Sequence, residues 1–312
     1  MTDRKDLVII GSGPAGLSAA VYAQRAMLDQ VVIEKEPFSG GQIITTERID
    51  NYLGLYGMGG YELAMKFREH ADALSVPFLE GEVTAINDDG EVKQITLASG
   101  ETIETKAVLF ATGARHKTLS VKGEKELAGA GVSYCATCDG AFFRGKTTAV
   151  VGGGDTALQD ALFLANTCRS VTLIHRRDTF RASAQLVRRA QAQENIRILR
   201  SCTVQRLLLS DDSLQGAELL NGKTGETERI YVEGLFVAVG QTPQSAPFED
   251  AVATENGYYL AGEDTNTCHP GVFAAGDGRK KQVRQLTTAV SDGAAAALAA
   301  CRWLDAQQSI SE

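Results

Sequence analysis

A strand, a glycine turn and a helix occur twice in this chain, and the repetition constrains the fold more than any other feature. Residues 6–23, DLVIIGSGPAGLSAAVYA, are echoed at 147–165 by TTAVVGGGDTALQDALFLA. Each copy begins with an apolar run that reads as a strand. The following segment keeps small and apolar residues on one helical face: Leu17, Ala20 and Val21 in the first, and Ala157, Leu158, Ala161, Leu162 and Ala165 in the second. Small residues let such a helix lie close on a sheet. A second β-rich run follows each copy, QVVIEK at 30–35 and SVTLIHRR at 170–177. Each half therefore contains a βαβ unit of the parallel-sheet type.

The remainder of each half follows a common order. In the first, a helix with Leu63, Phe67, Ala71 and Leu74 on one face precedes strands FLEGEVTAI, EVKQITLA and ETIETK, with Asp88, Asp89 and Gly90 as turn residues. In the second, RASAQLVRRAQAQ reads as a helix, and RILRSCTVQRLLLS, LQGAELLN and ETERIYV as strands. The halves close on AVLFATG at 107–113 and GLFVAVG at 234–240. A third such strand, GVFAAGD at 271–277, has no glycine fingerprint after it, so the last segment is expected to return to the first domain. The expected fold is α/β, with two Rossmann-like dinucleotide-binding domains, the second inserted into the first. Residues 1–117 and 246–312 form one and residues 118–245 the other; a length of 312 residues suits about two cores.

A net charge of -8 argues against nucleic acid or an anionic membrane as the main partner, because phosphate binding needs a basic face. No apolar run approaches the roughly 18–20 residues of a membrane span. The apolar run follows MTDRK directly and leaves no room for a secretory h-region, so a cytoplasmic protein is expected. Of six cysteines, only Cys135 and Cys138 are close; Cys168, Cys202, Cys268 and Cys301 read as single buried apolar residues.

In GSGPAG, Gly11 permits the tight turn, Gly13 lets the backbone approach a pyrophosphate, and Gly16 lets the helix pack on the strand. Pro14 and Ala15 complete the loop. GGGDTA supplies Gly152 and Gly154, then Asp155 and Thr156, with Ala157 in place of the third glycine. Glu34 and His175 lie equally far beyond the first glycine of each motif and occupy equivalent places at the ribose. Glu34 suits a free 2′-hydroxyl, and hence the adenosine of FAD or NAD. Around His175 there is no acid at that place, and Arg176, Arg177 and Arg181 could grip a 2′-phosphate, so the second site wants NADP; the bland reading of HRRDTFR is a solvated helix start.

CATCDG places two thiols two residues apart, just before the second fingerprint. A zinc site would need further ligands, and none of the other cysteines or the four histidines has ligand spacing, so no metal is expected. A purely structural pair is a second reading. A redox dithiol is the third, matched to a flavin donor because reduced flavin can attack a disulfide. Asp139 either protonates the leaving thiolate or caps the turn.

Taken together, GSGPAG, GGQ at 40–42, CATCDG, GGGDTA, HRRDTFR, GVFAAGD and VRQLTTAVSDGAAAA resemble the low-molecular-weight bacterial thioredoxin reductases over essentially the whole chain. The resemblance implies FAD and NADPH as cofactors, thioredoxin as partner, a homodimer and a rotating NADPH domain. By it, Cys138 faces the flavin and Cys135 attacks the partner disulfide. It also carries FAD contacts to Gly11, Gly13, Gly16, Glu34, Gln42, Asn51, Gly276, Asp277, Arg284 and Gln285. Tyr134 before the first cysteine and Thr156 are modest departures. A reductase of another dithiol carrier, a flavin redox sensor and a disulfide-independent NADPH oxidase are the competing readings.

Overall fold

The computed structural model describes residues 4–46, 48–88, 92–210 and 213–311, so Asp89 and Gly90 of the expected turn lie outside the described residues. Two compact units emerge, one formed by residues 1–115 with 242–312 and the other by residues 116–241. The boundaries expected at 117 and 245 fall two and four residues beyond these.

The first unit starts with β1 (Lys5–Ile10), α1 (Pro14–Arg25) and β2 (Gln30–Glu34). Leu7, Val8 and Ile9 are fully buried, as strands covered on both faces must be; each contributes about 1.5–3 kcal/mol of hydrophobic stabilisation. Then come α2 (Gly60–Ala73), β3 (Phe78–Glu80), β4 (Val83–Asp88), β5 (Lys93–Leu97), β6 (Thr102–Phe110) and the short β7 (Ala114–His116). The segment FLEGEVTAI, expected as one strand, is two. Phe78–Glu80 pairs parallel with β2, whereas Val83–Asp88 pairs antiparallel with β5, and Gly81 and Glu82 make the break. Conversely, ETIETK and the start of AVLFATG are one nine-residue strand, β6.

The second unit holds β8 (Val132–Ser133), α3 (Ala136–Asp139), β9 (Thr147–Gly152), α4 (Asp155–Ala165), β10 (Ser170–His175), α5 (Ala184–Gln191) and β11 (Ile196–Arg200). β12 (Cys202–Ser210), β13 (Ser213–Asn221) and β14 (Thr227–Tyr231) form an antiparallel meander, and β15 (Gly234–Ala238) closes the parallel sheet in the order β11-β10-β9-β15-β8. The expected strand RILRSCTVQRLLLS breaks at Ser201, whose φ of 56° turns the chain from the parallel sheet into the meander.

Beyond β16 (Gln241–Pro243), a hairpin of β17 (Thr254–Glu255) and β18 (Tyr258–Tyr259) leads to β19 (Val272–Ala274) and α6 (Leu286–Ser311). β6 divides one of its edges: Thr102–Thr105 pairs antiparallel with β5, while Val108–Phe110 pairs parallel with β19. The final segment thus rejoins the first sheet, ordered β3-β2-β1-β6-β5-β4 with β19 beside β6. α6 seats against α1 at Gly293, where a Cβ would strike the Ala15 carbonyl, and the Ser18 hydroxyl donates to the Val290 carbonyl at 2.7 Å. Among the described residues no helix is long and apolar enough to cross a membrane.

Candidate active site

The first glycine turn joins the end of β1 to α1. Gly11 has φ of 101°, and a Cβ there would lie 2.6 Å from the Ala111 carbonyl oxygen; a Cβ at Gly16 would run into the Gly11 carbonyl. Gly13 differs: the nearest atom to a Cβ there is Gly41 Cα at 4.0 Å, so its hydrogen leaves room beside the helix N-terminus for a phosphate. Pro14 and buried Ala15 open α1, and Gln42 stands in the short 3₁₀ turn Gly41–Thr45.

Glu34 ends β2 with its carboxylate already fixed. Oε2 accepts from the Ser12 amide at 2.7 Å and the Ser12 hydroxyl at 2.8 Å, and Oε1 accepts from the amides of Lys35 and Glu36. Ser12, fully buried, was not singled out in the sequence because a serine within a glycine loop carries no signal of its own.

The turn that begins at Gly276, against Ala15 at the start of α1, belongs with Asp277, Arg284, Gln285 and Asn51. The Asn51 amide donates to Gln285 Oε1 at 3.1 Å, and Arg284 Nε donates to the Asp277 carbonyl at 3.3 Å while its guanidinium lies over the Tyr258 ring. Gly276, φ 75°, starts the turn that carries Asp277. Asp277 Oδ1 is buried and accepts no hydrogen bond, with Lys281 Nζ 3.5 Å away. Burial pushes this carboxyl up from the ordinary carboxylate range, against the pull of Lys281 and Arg284. A buried acceptor at a strand end, held by an ion pair with Lys281 but with no hydrogen bond, fits a sugar or ribityl hydroxyl. Beneath it, Asp292 takes Arg279 Nη2 at 3.0 Å, Lys281 Nζ at 3.0 Å and the Gly276 amide at 3.0 Å. Arg279, Lys281 and Asp292 are functional neighbours that the sequence did not reveal, since three scattered charges show no spacing until the fold closes them.

In the second unit the glycine turn follows β9. A Cβ at Gly152 would collide with the Ala238 carbonyl, whereas at Gly154 it would meet nothing within 4 Å, again leaving space at a helix N-terminus. Asp155 Oδ1 accepts from the Ser183 amide at 2.7 Å and so braces the loop beside the turn, and Thr156 is exposed on the first turn of α4.

His175 ends β10 as Glu34 ends β2, but it offers something different. Its ring is 5% exposed, packs under Gly153, stacks on Phe180 with centroids 5.0 Å apart, and donates from Nε2 to the Thr179 carbonyl at 3.0 Å. Burial pushes the imidazole down from its ordinary range, opposed by the Thr179 bond and reinforced by the three nearby guanidinium groups. Arg176, Arg177 and Arg181 are exposed, and the Arg181 amide donates to the Gly153 carbonyl at 2.8 Å. Three cations therefore stand around the turn while the histidine is structural support.

Cys135 and Cys138 form a disulfide with Cα atoms 5.3 Å apart, on α3, just beyond β8. The amides of Cys138 and Asp139 donate back to the Cys135 carbonyl. Cys135 Sγ lies 3.4 Å from the Thr137 hydroxyl, and Asp139 Oδ2 accepts from the Ser133 hydroxyl at 2.6 Å. Tyr134 turns away from the disulfide: its hydroxyl donates to buried Glu124 at 3.0 Å and its ring stacks on His116. Gly140 lets α3 press on α4, since a Cβ there would come 3.0 Å from both Phe163 and Leu164. The remaining cysteines are free; Cys168 and Cys202 are buried, but Cys268 is exposed and Cys301 half-buried, against the expectation that all four are buried. Cys268 sits in the turn before β19, exposed between half-buried Thr267 and His269.

Asp160, half-buried on α4, has its carboxyl pushed up to about 7 by burial. Its folded value exceeds the unfolded value near 3.8, so the unfolded chain releases this proton first as pH rises. Stability is fully present at about pH 4 and is lost up to about pH 7. The displacement corresponds to about 4 kcal/mol, reduced to about 2 by partial exposure. Asp160→Asn is expected to gain about that much at pH 8 and nothing at pH 4 in denaturant melts, and an equal gain at both pH values would contradict this assignment.

Comparison with known proteins agrees with this geometry. A family model described as pyridine nucleotide-disulphide oxidoreductase matches residues 5–293. The chain is 43% identical over 302 residues to the bifunctional thioredoxin reductase/thioredoxin of Mycobacterium leprae (strain TN), covering 96% of this chain and 66% of that protein, just under two thirds of its length. It is 41% identical over 293 residues to the thioredoxin reductase of Bacillus subtilis (strain 168), covering 94% of this chain and 92% of that one. The crystal structure of thioredoxin reductase from Streptococcus pyogenes MGAS5005 superimposes with a TM-score of 0.92 at 38% identity, covering 98% and 100% of the two chains.

Proposed function

The chain belongs to the pyridine nucleotide-disulphide oxidoreductase family, and from that premise we propose that it is an NADPH-dependent thioredoxin-disulfide reductase. The observation that carries this reading is the Cys135–Cys138 disulfide held on α3, with Asp139 next to it and α3 packed on the helix that opens at the second glycine turn.

The discontinuous unit holds FAD, with Gly13 and the α1 N-terminus at the phosphates, Glu34 at the ribose 2′-hydroxyl and Asp277 Oδ1 accepting a ribityl hydroxyl. The inserted unit holds NADPH, with Gly154 at the phosphates and Arg176, Arg177 and Arg181 at the 2′-phosphate. Bound FAD supplies a two-electron carrier between the nicotinamide and a disulfide. Once the pair is a dithiol, Asp139 takes the proton of Cys135 and the thiolate attacks the partner disulfide, giving a mixed disulfide and one partner thiolate, which takes up that proton. Cys138 then gives up its proton and attacks Cys135 sulfur as the thiolate, reforming the Cys135–Cys138 disulfide and releasing the second partner thiolate, which takes up that second proton. Two electrons and two protons have passed to the partner. Thioredoxin as that partner is supported by the relative in which the two are one polypeptide. We place the enzyme in the cytoplasm, as a homodimer.

Anaerobic titration tests this directly. Uptake of about four electrons per FAD, two for the flavin and two for the disulfide, with NADPH far ahead of NADH, is the expected result. An uptake of two would show that the cysteines do not exchange electrons with the flavin and would overturn the reading.

A further inference from the structure

We propose that Ser133 is a positioning residue for Asp139, fixing the aim of its carboxylate and holding it in the ionised form that can take a proton from the reacting cysteine. The inference rests on the thiol–disulfide reading of Cys135 and Cys138 and deepens it.

Ser133 is 4% exposed, and its backbone is pinned at the edge of the parallel sheet, where it pairs with Phe236. Its hydroxyl has one proton and two lone pairs, and the surroundings assign them. The proton goes to Asp139 Oδ2 at 2.6 Å, the length of a charge-assisted O–H···O⁻ bond, in preference to the Cys135 carbonyl at 3.3 Å. A lone pair receives the Cys135 amide at 3.1 Å. One buried side chain therefore ties the acid to the backbone of the cysteine four residues before it, and anchors both to the sheet rather than to the short helix α3 alone. A four-residue helix with no side-chain cap would otherwise leave this geometry loose.

A hydroxyl that donates to a carboxylate favours its ionised form. In the dithiol state that form is the base that draws the proton from Cys135, after which the proton is passed to the departing partner thiolate. No electrons are consumed, and the proton returns with the product. On the element packed against α3 the carboxylates are Asp155 and Asp160, and past the turn that follows α3 lie Arg144 and Lys146; Tyr134 points to Glu124 instead. Asp160 titrates in the working pH range, so the test must isolate Asp139.

The experiment is a pH profile of kcat and kcat/KM for NADPH-driven reduction of thioredoxin, and of the small disulfide 5,5′-dithiobis(2-nitrobenzoate), by holoenzyme. In Ser133→Ala the acid limb is expected to move up by about one pH unit and kcat at neutral pH to fall roughly tenfold. KM for NADPH and the four-electron uptake should stay unchanged. Ser133→Thr, which keeps the hydroxyl, should keep the wild-type limb, and in an Asp139→Asn background Ser133→Ala should shift nothing further. Profiles of wild type and Ser133→Ala that superimpose, or a shift that persists without Asp139, would overturn the proposal. Two-electron uptake by wild type would instead refute the underlying reading; four-electron uptake with superimposed profiles refutes the role of Ser133 alone.

Discussion

Cys138→Ser is expected to abolish thioredoxin reduction, by at least about three orders of magnitude in kcat, while the protein stays folded and binds both nucleotides. Serine matches cysteine closely in shape, and Cys138 is only half-buried, so little packing is lost. What disappears is the second sulfur: an alcohol neither forms a disulfide nor accepts two electrons. Anaerobic uptake should drop from about four electrons to about two, and Cys135 should accumulate as a stable mixed disulfide with thioredoxin, because the thiolate that resolves it is gone. Mass spectrometry of the non-reduced mixture reads that adduct. If Cys138→Ser turns over thioredoxin at the wild-type rate, the disulfide is a bystander and a disulfide-independent flavin oxidase or reductase is the better description.

The second large effect concerns the electron donor. Replacing Arg176 and Arg177 together with alanine is expected to raise KM for NADPH by roughly 10²–10³-fold and to leave KM for NADH nearly unchanged. Charge-assisted hydrogen bonds to phosphate contribute about 1.5–3 kcal/mol each, and two exposed arginines retain somewhat less than their sum. Both side chains are exposed, and the structural bond at this place, from the Ser201 amide to the Arg177 carbonyl, belongs to the backbone and survives the change. Thermal stability should therefore stay within about 0.5 kcal/mol. Steady-state kinetics with both nucleotides checks this, and a loss shared equally by NADH would mean that the arginines support the fold rather than read the 2′-phosphate.

The local elements were largely legible in the chain because they are written in short-range patterns. Alternation between apolar runs, glycine turns and small-residue helices specifies β1-α1-β2 and β9-α4-β10 without reference to anything distant. The face of α2 follows equally from Leu63, Phe67 and Ala71 at helical spacing. Strand limits were less legible. FLEGEVTAI reads as one run because its pattern is continuous, yet Gly81 and Glu82 separate a parallel partner from an antiparallel one, and pairing direction is a property of the neighbouring strand. Burial of the lone cysteines was misread at Cys268 for a similar reason: residue type sets a tendency, and the turn before β19 sets the exposure.

The same division runs through the site. Sequence alone determined the two nucleotide fingerprints, the Cys135–Cys138 pair, the acid beside it, and the difference between an acidic and a basic strand end. Each of these is a contiguous motif whose chemistry lies within a few residues. Only the tertiary structure decided that His175 turns inward as a support beneath Gly153, and that Ser133 holds Asp139. It alone closed Arg279, Lys281 and Asp292 beneath Asp277, and brought Asn51 to Gln285 across 234 positions of chain. A hydrogen bond needs its partners within about 3 Å and correctly aimed, and that proximity comes from sheet register and helix packing, which no local spacing records.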